Sequence, residues 1–119
     1  MKSSFALIAA AVWAVSAAPT LADYVPIQTK SDFVSAVHGK QLTRSLVKLS
    51  VSPSGTISGT GAVWDVTGTW TWEGSYFCRT LFWGGKDLGY NCQTVARDGA
   101  KIRFTSDKGA GESAIFSLR

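Results

Sequence analysis

Gly68 to Gln93, GTWTWEGSYFCRTLFWGGKDLGYNCQ, carries three of the five tryptophans and both cysteines, and its reading decides the fold. Val66 to Trp72 and Tyr76 to Phe82 alternate strictly, as half-buried strands do, and the Glu73-Gly74-Ser75 triplet between them has the size of a three-residue hairpin loop. That loop predicts a register in which Trp72 faces Tyr76, Trp70 faces Cys78, Gly68 faces Thr80 and Val66 faces Phe82. The bulky groups then share one side, and Thr67, Thr69 and Thr71 take the other.

Cys78 and Cys92 are symmetric about Gly85. A second hairpin turning through Gly84-Gly85-Lys86 sets the two sulfurs across from one another, and a cross-strand disulfide follows. Its short closed loop contributes roughly 3 kcal/mol on the chain-entropy estimate. In this register Trp70 lies beside the disulfide and forms an aromatic and sulfur plug for the core.

Upstream, Met1-Lys2, the apolar run Phe5 to Val15 and the small residues that end at Thr20-Leu21-Ala22 have the order of a secretory signal peptide. Cleavage near Ala22 predicts a single mature domain, Asp23 to Arg119, periplasmic or secreted. The apolar run is far short of the ~20 residues that span a bilayer, so no transmembrane segment is expected in the mature chain. An oxidising compartment suits the paired cysteines, and no third cysteine is present. Removal of Lys2 leaves 11 basic against 8 acidic residues, a net charge of +3 scattered along the chain. Unclustered charge together with export points away from a nucleic-acid partner.

Ser31 to Gly39 reads as a short helix capped by Ser31 or Thr29 and ended by Gly39, with Phe33, Val34 and Val37 as its apolar stripe. From Gln41 the chain alternates, with Val47, Leu49 and Val51 on one side, until Pro53-Ser54-Gly55 turns it. Thr56 to about Val63 forms the next strand, in which Ile57, Gly59, Gly61 and Val63 share a face. The two glycines there leave room for a tight bend or a large aromatic across the core. Trp64 and Asp65 mark a connection. Further on, a three-residue loop at Arg97-Asp98-Gly99 with Gly99 left-handed sets Ile102 opposite Thr94 and Phe104 opposite Cys92, which keeps the core face apolar. Asp107 to Gly111 turns the chain into a last strand with Ala114, Phe116 and Leu118 inward. The expected fold is all-β: a small antiparallel meander of about seven strands, calycin-like in outline, curled into a barrel or half-barrel with one N-terminal helix and one disulfide.

No constellation carries chemistry. His38 is the only histidine and sits at a helix end, where it interacts with the last carbonyls. Asp65, Glu73, Asp87, Asp98 and Asp107 fall in predicted turns, where turn hydrogen bonds account for them. Thirteen residues separate the cysteines, so they form neither a CxxC redox pair nor a metal-ligand pair. No GxGxxG or GxxxxGK[ST] motif occurs, and no cofactor is expected.

One feature points to binding. Phe77, Arg79, Leu81 and Trp83 follow one another on the side of their strand facing away from the disulfide, where a barrel wall is normally polar. Two readings follow. The N-terminal helix packs on this stripe, with Arg79 on an aromatic ring or turned toward Asn91 and Asp87. Alternatively, Phe77, Arg79 and Trp83 form a binding surface, with a barrel mouth near Trp64 as a further site.

The export signal, Asp32-Phe33-Val34, Gly39-Lys40-Gln41-Leu42-Thr43, Gly68-Thr69-Trp70-Thr71-Trp72, Tyr76-Phe77-Cys78-Arg79 and Asp87-Leu88-Gly89-Tyr90-Asn91-Cys92-Gln93 together resemble a family of small exported alphaproteobacterial proteins often labelled dihydrodipicolinate reductase. The resemblance runs over essentially the whole mature chain. Reductases of that kind are far longer cytoplasmic enzymes with a nucleotide-binding fold, so the resemblance brings no catalytic residue to any position here. The expected role is a non-enzymatic exported barrel that binds a small ligand or an envelope protein. An oxidoreductase, which would show nicotinamide-dependent turnover, and a structural envelope protein are the alternatives.

Overall fold

A computed structural model describes residues Asp23 to Arg119; the segment read as a leader, with its expected cleavage near Ala22, lies outside the described residues. The elements in chain order are β1 (Val25–Ile27), α1 (Lys30–Val37), β2 (Leu42–Arg44), β3 (Val47–Val51), β4 (Thr56–Gly61), β5 (Trp64–Glu73), β6 (Tyr76–Trp83), β7 (Lys86–Asp98), β8 (Lys101–Thr105) and β9 (Ser113–Leu118). All strand pairings are antiparallel. Neighbour follows neighbour from β7 back to β2, then β9 and β8, and β8 pairs with β7 again. The sheet is therefore a closed barrel of eight strands, with β1 added as a short ninth strand beside the far end of β7. Closure removes the unpaired edges that an open meander would expose.

More strands form than the seven expected. Within the stretch read as continuous alternation from Gln41, Ser45-Leu46 makes a tight turn, with Leu46 at φ 63° and Arg44 paired to Val47. β4 stops at Gly61, and Val63 is in the turn rather than on the inner face. Trp64 and Asp65 are already strand, paired to Gly61 and Thr60.

The helix forms where expected. Thr29 Oγ1 accepts a hydrogen bond from the Asp32 amide at 3.1 Å and caps it, and the His38 amide closes its end on the Val34 carbonyl. Eight residues make a helix too short to stand alone, so its stability comes from docking. Phe33, Ala36 and Val37 are buried. Phe33 meets Trp70, Trp72, Phe77 and Phe104 at ring-centroid distances of 5.0–6.2 Å and plugs one end of the barrel.

The β5–β6 register differs from the expected one by a single residue. Only Gly74 and Ser75 form the turn, because Gly74 takes a φ of 65° that suits a two-residue hairpin, and Glu73 pairs with Tyr76. Trp72 then faces Phe77, Trp70 faces Arg79, and Val66 faces Trp83. With a side-chain period of two, one residue of slip moves a whole strand to the other face. Trp70 accordingly lies inside the barrel, on the opposite face from the disulfide, and Thr71 is the residue across from Cys78.

Cys78 and Cys92 are nevertheless paired and bonded, with Cα atoms 3.9 Å apart. The β6–β7 turn is also two residues, Gly84-Gly85, with Trp83 opposite Lys86, but Leu88 is an extra residue on β7: Phe82 pairs with Asp87 and Leu81 with Gly89. This bulge compensates for the shorter turn and restores the expected partners from there on. In the third hairpin the turn is Gly99-Ala100, with Gly99 at φ 57°. Ile102 therefore faces Arg97 and Phe104 faces Val95, not Thr94 and Cys92. The inward side chains are the expected ones, since Ile102 and Phe104 are buried; Leu118 is buried too, and Phe116 packs against the core partly buried.

Candidate ligand cavity

On β6 the alternation sets Phe77, Arg79, Leu81 and Trp83 on the same face as their partners Trp72, Trp70, Gly68 and Val66, which is the inner wall of the barrel. The stripe is thus not an outer surface. It faces away from the disulfide because the disulfide is on the outer wall. Along it the environment changes steadily. Phe77 is buried against the Phe33 plug, Arg79 and Leu81 are half-buried, and Trp83 is 37% exposed at the other end.

The inward glycines allow close approaches across the barrel wall. Gly68 stands opposite Leu81, where a Cβ would collide with the Thr80 carbonyl oxygen and approach Leu81 Cδ2 to 2.8 Å. On β4 the expected large aromatic is found at one glycine and a close backbone approach at the other. The backbone of Lys48 and Leu49 closes on Gly59, while Gly61 lies under Trp83, whose Nε1–H donates to the Gly61 carbonyl at 2.8 Å.

Away from the Phe33 plug the barrel keeps two adjoining hollows with shared wall residues, the two lobes of a cavity. The first, 360 Å³, is walled by residues such as Val51, Ile57, Phe77 and Phe104 and contains Arg79 and Gln93. The second, 480 Å³, lies toward the turns Ser45-Leu46, Ala62-Val63 and Gly84-Gly85 and is walled by Val66, Trp83 and Leu88 among others. Arg44, Leu49, Leu81 and Phe116 line both.

The polar groups of the first lobe differ in how far they are committed. Gln93 is buried; its Nε2 donates to Asn91 Oδ1 at 3.3 Å and to Ser106 Oγ at 3.2 Å. Asn91 is held in turn by Asp107, whose Oδ1 accepts from Nδ2 at 2.8 Å and whose amide donates to Oδ1 at 3.0 Å. Arg79 has a single hydrogen bond to the described residues, Nη1–H to the Gly89 carbonyl at 2.9 Å. Burial lowers its pKa from the usual arginine value, and no opposite charge among the described residues acts against that shift. Arg44 lies with its guanidinium 5.5 Å over the Phe116 ring. Glu112, at the approach to β9, is the carboxylate of the lining and is exposed.

Of the residues singled out in the sequence, Phe77, Arg79 and Trp83 come together on one inner wall. Trp64 does not join them: it is 55% exposed at the rim, packed against the Gly84 turn. The sequence did not single out Arg44, Gln93, Leu49 or Phe116 for a site. Inward parity was legible for Leu49 and Phe116, but what they face depends on closure of the barrel. Among the described residues no three His, Cys, Asp or Glu side chains gather as metal ligands. His38 is exposed at the helix end and lines neither lobe. Comparisons of the chain with protein-family models, with curated proteins and with solved structures return no match.

Proposed function

We propose that this protein is a non-enzymatic carrier or sensor that holds a small ligand inside its barrel. The observation that carries the reading is the asymmetry of the interior. One end is filled by Phe33 and the aromatics around it, whereas the other keeps a cavity with a charged group in it. Concave, mainly apolar sites with a few placed polar groups are the usual form of small-molecule sites. The Cys78–Cys92 bond supports an oxidising compartment, in keeping with export. N-terminal sequencing of the exported product checks that part and is expected to begin at Asp23.

Titration of the mature, oxidised protein with 1-anilinonaphthalene-8-sulfonate tests interior binding. Saturable one-to-one binding with quenching of tryptophan emission is the expected result. Ala114 lines the first lobe, so Ala114→Phe should fill it and suppress binding. Undiminished binding in that variant would place the dye elsewhere and remove the reading.

A protein partner is the second reading, favoured by the exposure of Leu46 (77%), Val63 (85%) and Leu88 (46%) around the mouth. Isolated exposed apolar residues are ordinary, but several at one rim are typical of contact surfaces. The triple variant Leu46→Ser, Val63→Ser, Leu88→Ser should retain dye binding under the first reading. Loss of co-purification with an envelope component in that variant would favour the second.

A further inference from the structure

The cavity specifies a chemical class of ligand, an inference that rests on the interior-binding reading above. Its two lobes differ in kind. In the second lobe Arg44 is the one charged side chain of the lining, and Trp83 has its Nε1–H already given to the Gly61 carbonyl. Apart from Arg44, that lobe offers a ligand mainly apolar surface. In the first lobe the NH2 of Gln93 is given to Asn91 and Ser106, and Arg79 is the half-buried cation with donors to spare, whereas Arg44, which lines both lobes, is exposed. A guanidinium has five N–H donors, and one of those on Arg79 is used within the described residues.

A half-buried cation among apolar walls, with no ion pair among the described residues, loses hydration without compensation. A neutral ligand would deepen that loss by displacing water from it. A cationic ligand would be repelled by both Arg79 and Arg44. An anion reverses the sign, because a carboxylate can accept two parallel N–H bonds from one guanidinium. Glu112 lines the same lobe, but it is exposed, and no ion pair between it and Arg79 is formed.

We propose that the ligand is an amphipathic monoanion, its carboxylate held by Arg79 in the first lobe and its apolar chain running past Leu81 and Phe116 into the second. The head lies inward and the tail toward the mouth, since the apolar lobe is the one bordered by the exposed Leu46 and Leu88.

Isothermal titration with three probes of equal chain length, decanoate, decan-1-ol and decyltrimethylammonium, tests this on the mature, oxidised protein. Decanoate should bind tightest, the alcohol at least about tenfold more weakly, and the ammonium without saturation. Arg79→Met should abolish the preference for decanoate over decanol. Near-UV circular dichroism and the melting temperature of that variant check that the barrel is intact. Arg79→Lys, which keeps the charge without the fork, should fall between. Equal affinity for acid and alcohol, or a preference that survives in a folded Arg79→Met, overturns the anion assignment but leaves interior binding standing. If none of the three probes binds and the anilinonaphthalene dye does not either, interior binding itself fails, and this assignment with it.

Discussion

The ring of Phe33 lies 5.0 Å from that of Phe77, so the one helix is docked on the same inner stripe that two residues later carries Arg79. The plug and the cavity are consecutive layers of one wall. What α1 buries sets how much of the barrel remains open.

Phe33→Ala should therefore be among the most damaging single changes. Phe33 is fully buried against four aromatic rings, and truncation of such a residue costs about 3–5 kcal/mol. Urea unfolding followed by tryptophan fluorescence measures it. A loss below about 1 kcal/mol would mean that α1 does not dock as described.

Gly68→Ala should destabilise the barrel from the middle of β5. The new Cβ would meet the Thr80 carbonyl oxygen, which is sheet backbone and cannot swing aside. Overpacking of this kind costs at least about 1–3 kcal/mol. Gly74→Ala provides the contrast, because its Cβ meets nothing and only the φ of 65° is unfavourable. Thermal melts should rank Gly68→Ala below Gly74→Ala; the reverse order would contradict the β5–β6 packing.

Removal of the disulfide by Cys78→Ala with Cys92→Ala should lower stability by about 3 kcal/mol through the freed denatured chain. The bond is on the outer wall, so the cavity should survive. Dye binding by the folded fraction, measured beside a denaturant curve, checks both halves of the expectation. Loss of binding in a variant that still melts cooperatively would show that the bond shapes the interior.

Asn91→Ala should loosen the segment between β8 and β9. It deletes both hydrogen bonds to Asp107, a residue held at a φ of 56° that costs a non-glycine side chain strain. Faster hydrogen exchange at Ser106 to Gly111, with a global loss of about 1–2 kcal/mol, is expected. Unchanged protection there would mean that the turn holds its shape without Asn91.

Arg79→Met should raise the melting temperature of the ligand-free protein. Burial lowers the folded-state pKa of Arg79 below its unfolded value, so the folded state bears the cost of the charge at every pH below that folded value. The cost would lift only as pH rises through that value, far into the alkaline range for an arginine. The gain from Arg79→Met should thus be flat from about pH 5 to 9. A gain that varied across this range would point to a titrating neighbour.

Much of this protein follows from the order of its residues alone. Thr29 and the Phe33–Val37 spacing specify the helix, because a cap and an apolar stripe are local properties. The Ile102/Phe104 and Ala114/Phe116/Leu118 alternations specify inward faces, since their intervening residues are mostly polar. The Cys78–Cys92 partnership was also legible, although it comes about through a two-residue turn and a bulge at Leu88 that no local pattern announced.

The face of β6 was a different matter. Both of its sides are apolar, with Tyr76, Cys78 and Phe82 on one and Phe77, Leu81 and Trp83 on the other, so a period of two does not say which is inside. That was decided by the two-residue turn at Gly74-Ser75, by Phe33 docking on Phe77, and by the pairing of β8 with β7 that closes the sheet. Arg79 follows its strand. In the sequence it is a charge at an alternating position, compatible with solvent. Closure of the barrel puts it beside a cavity, because an interior exists only once distant strands have met.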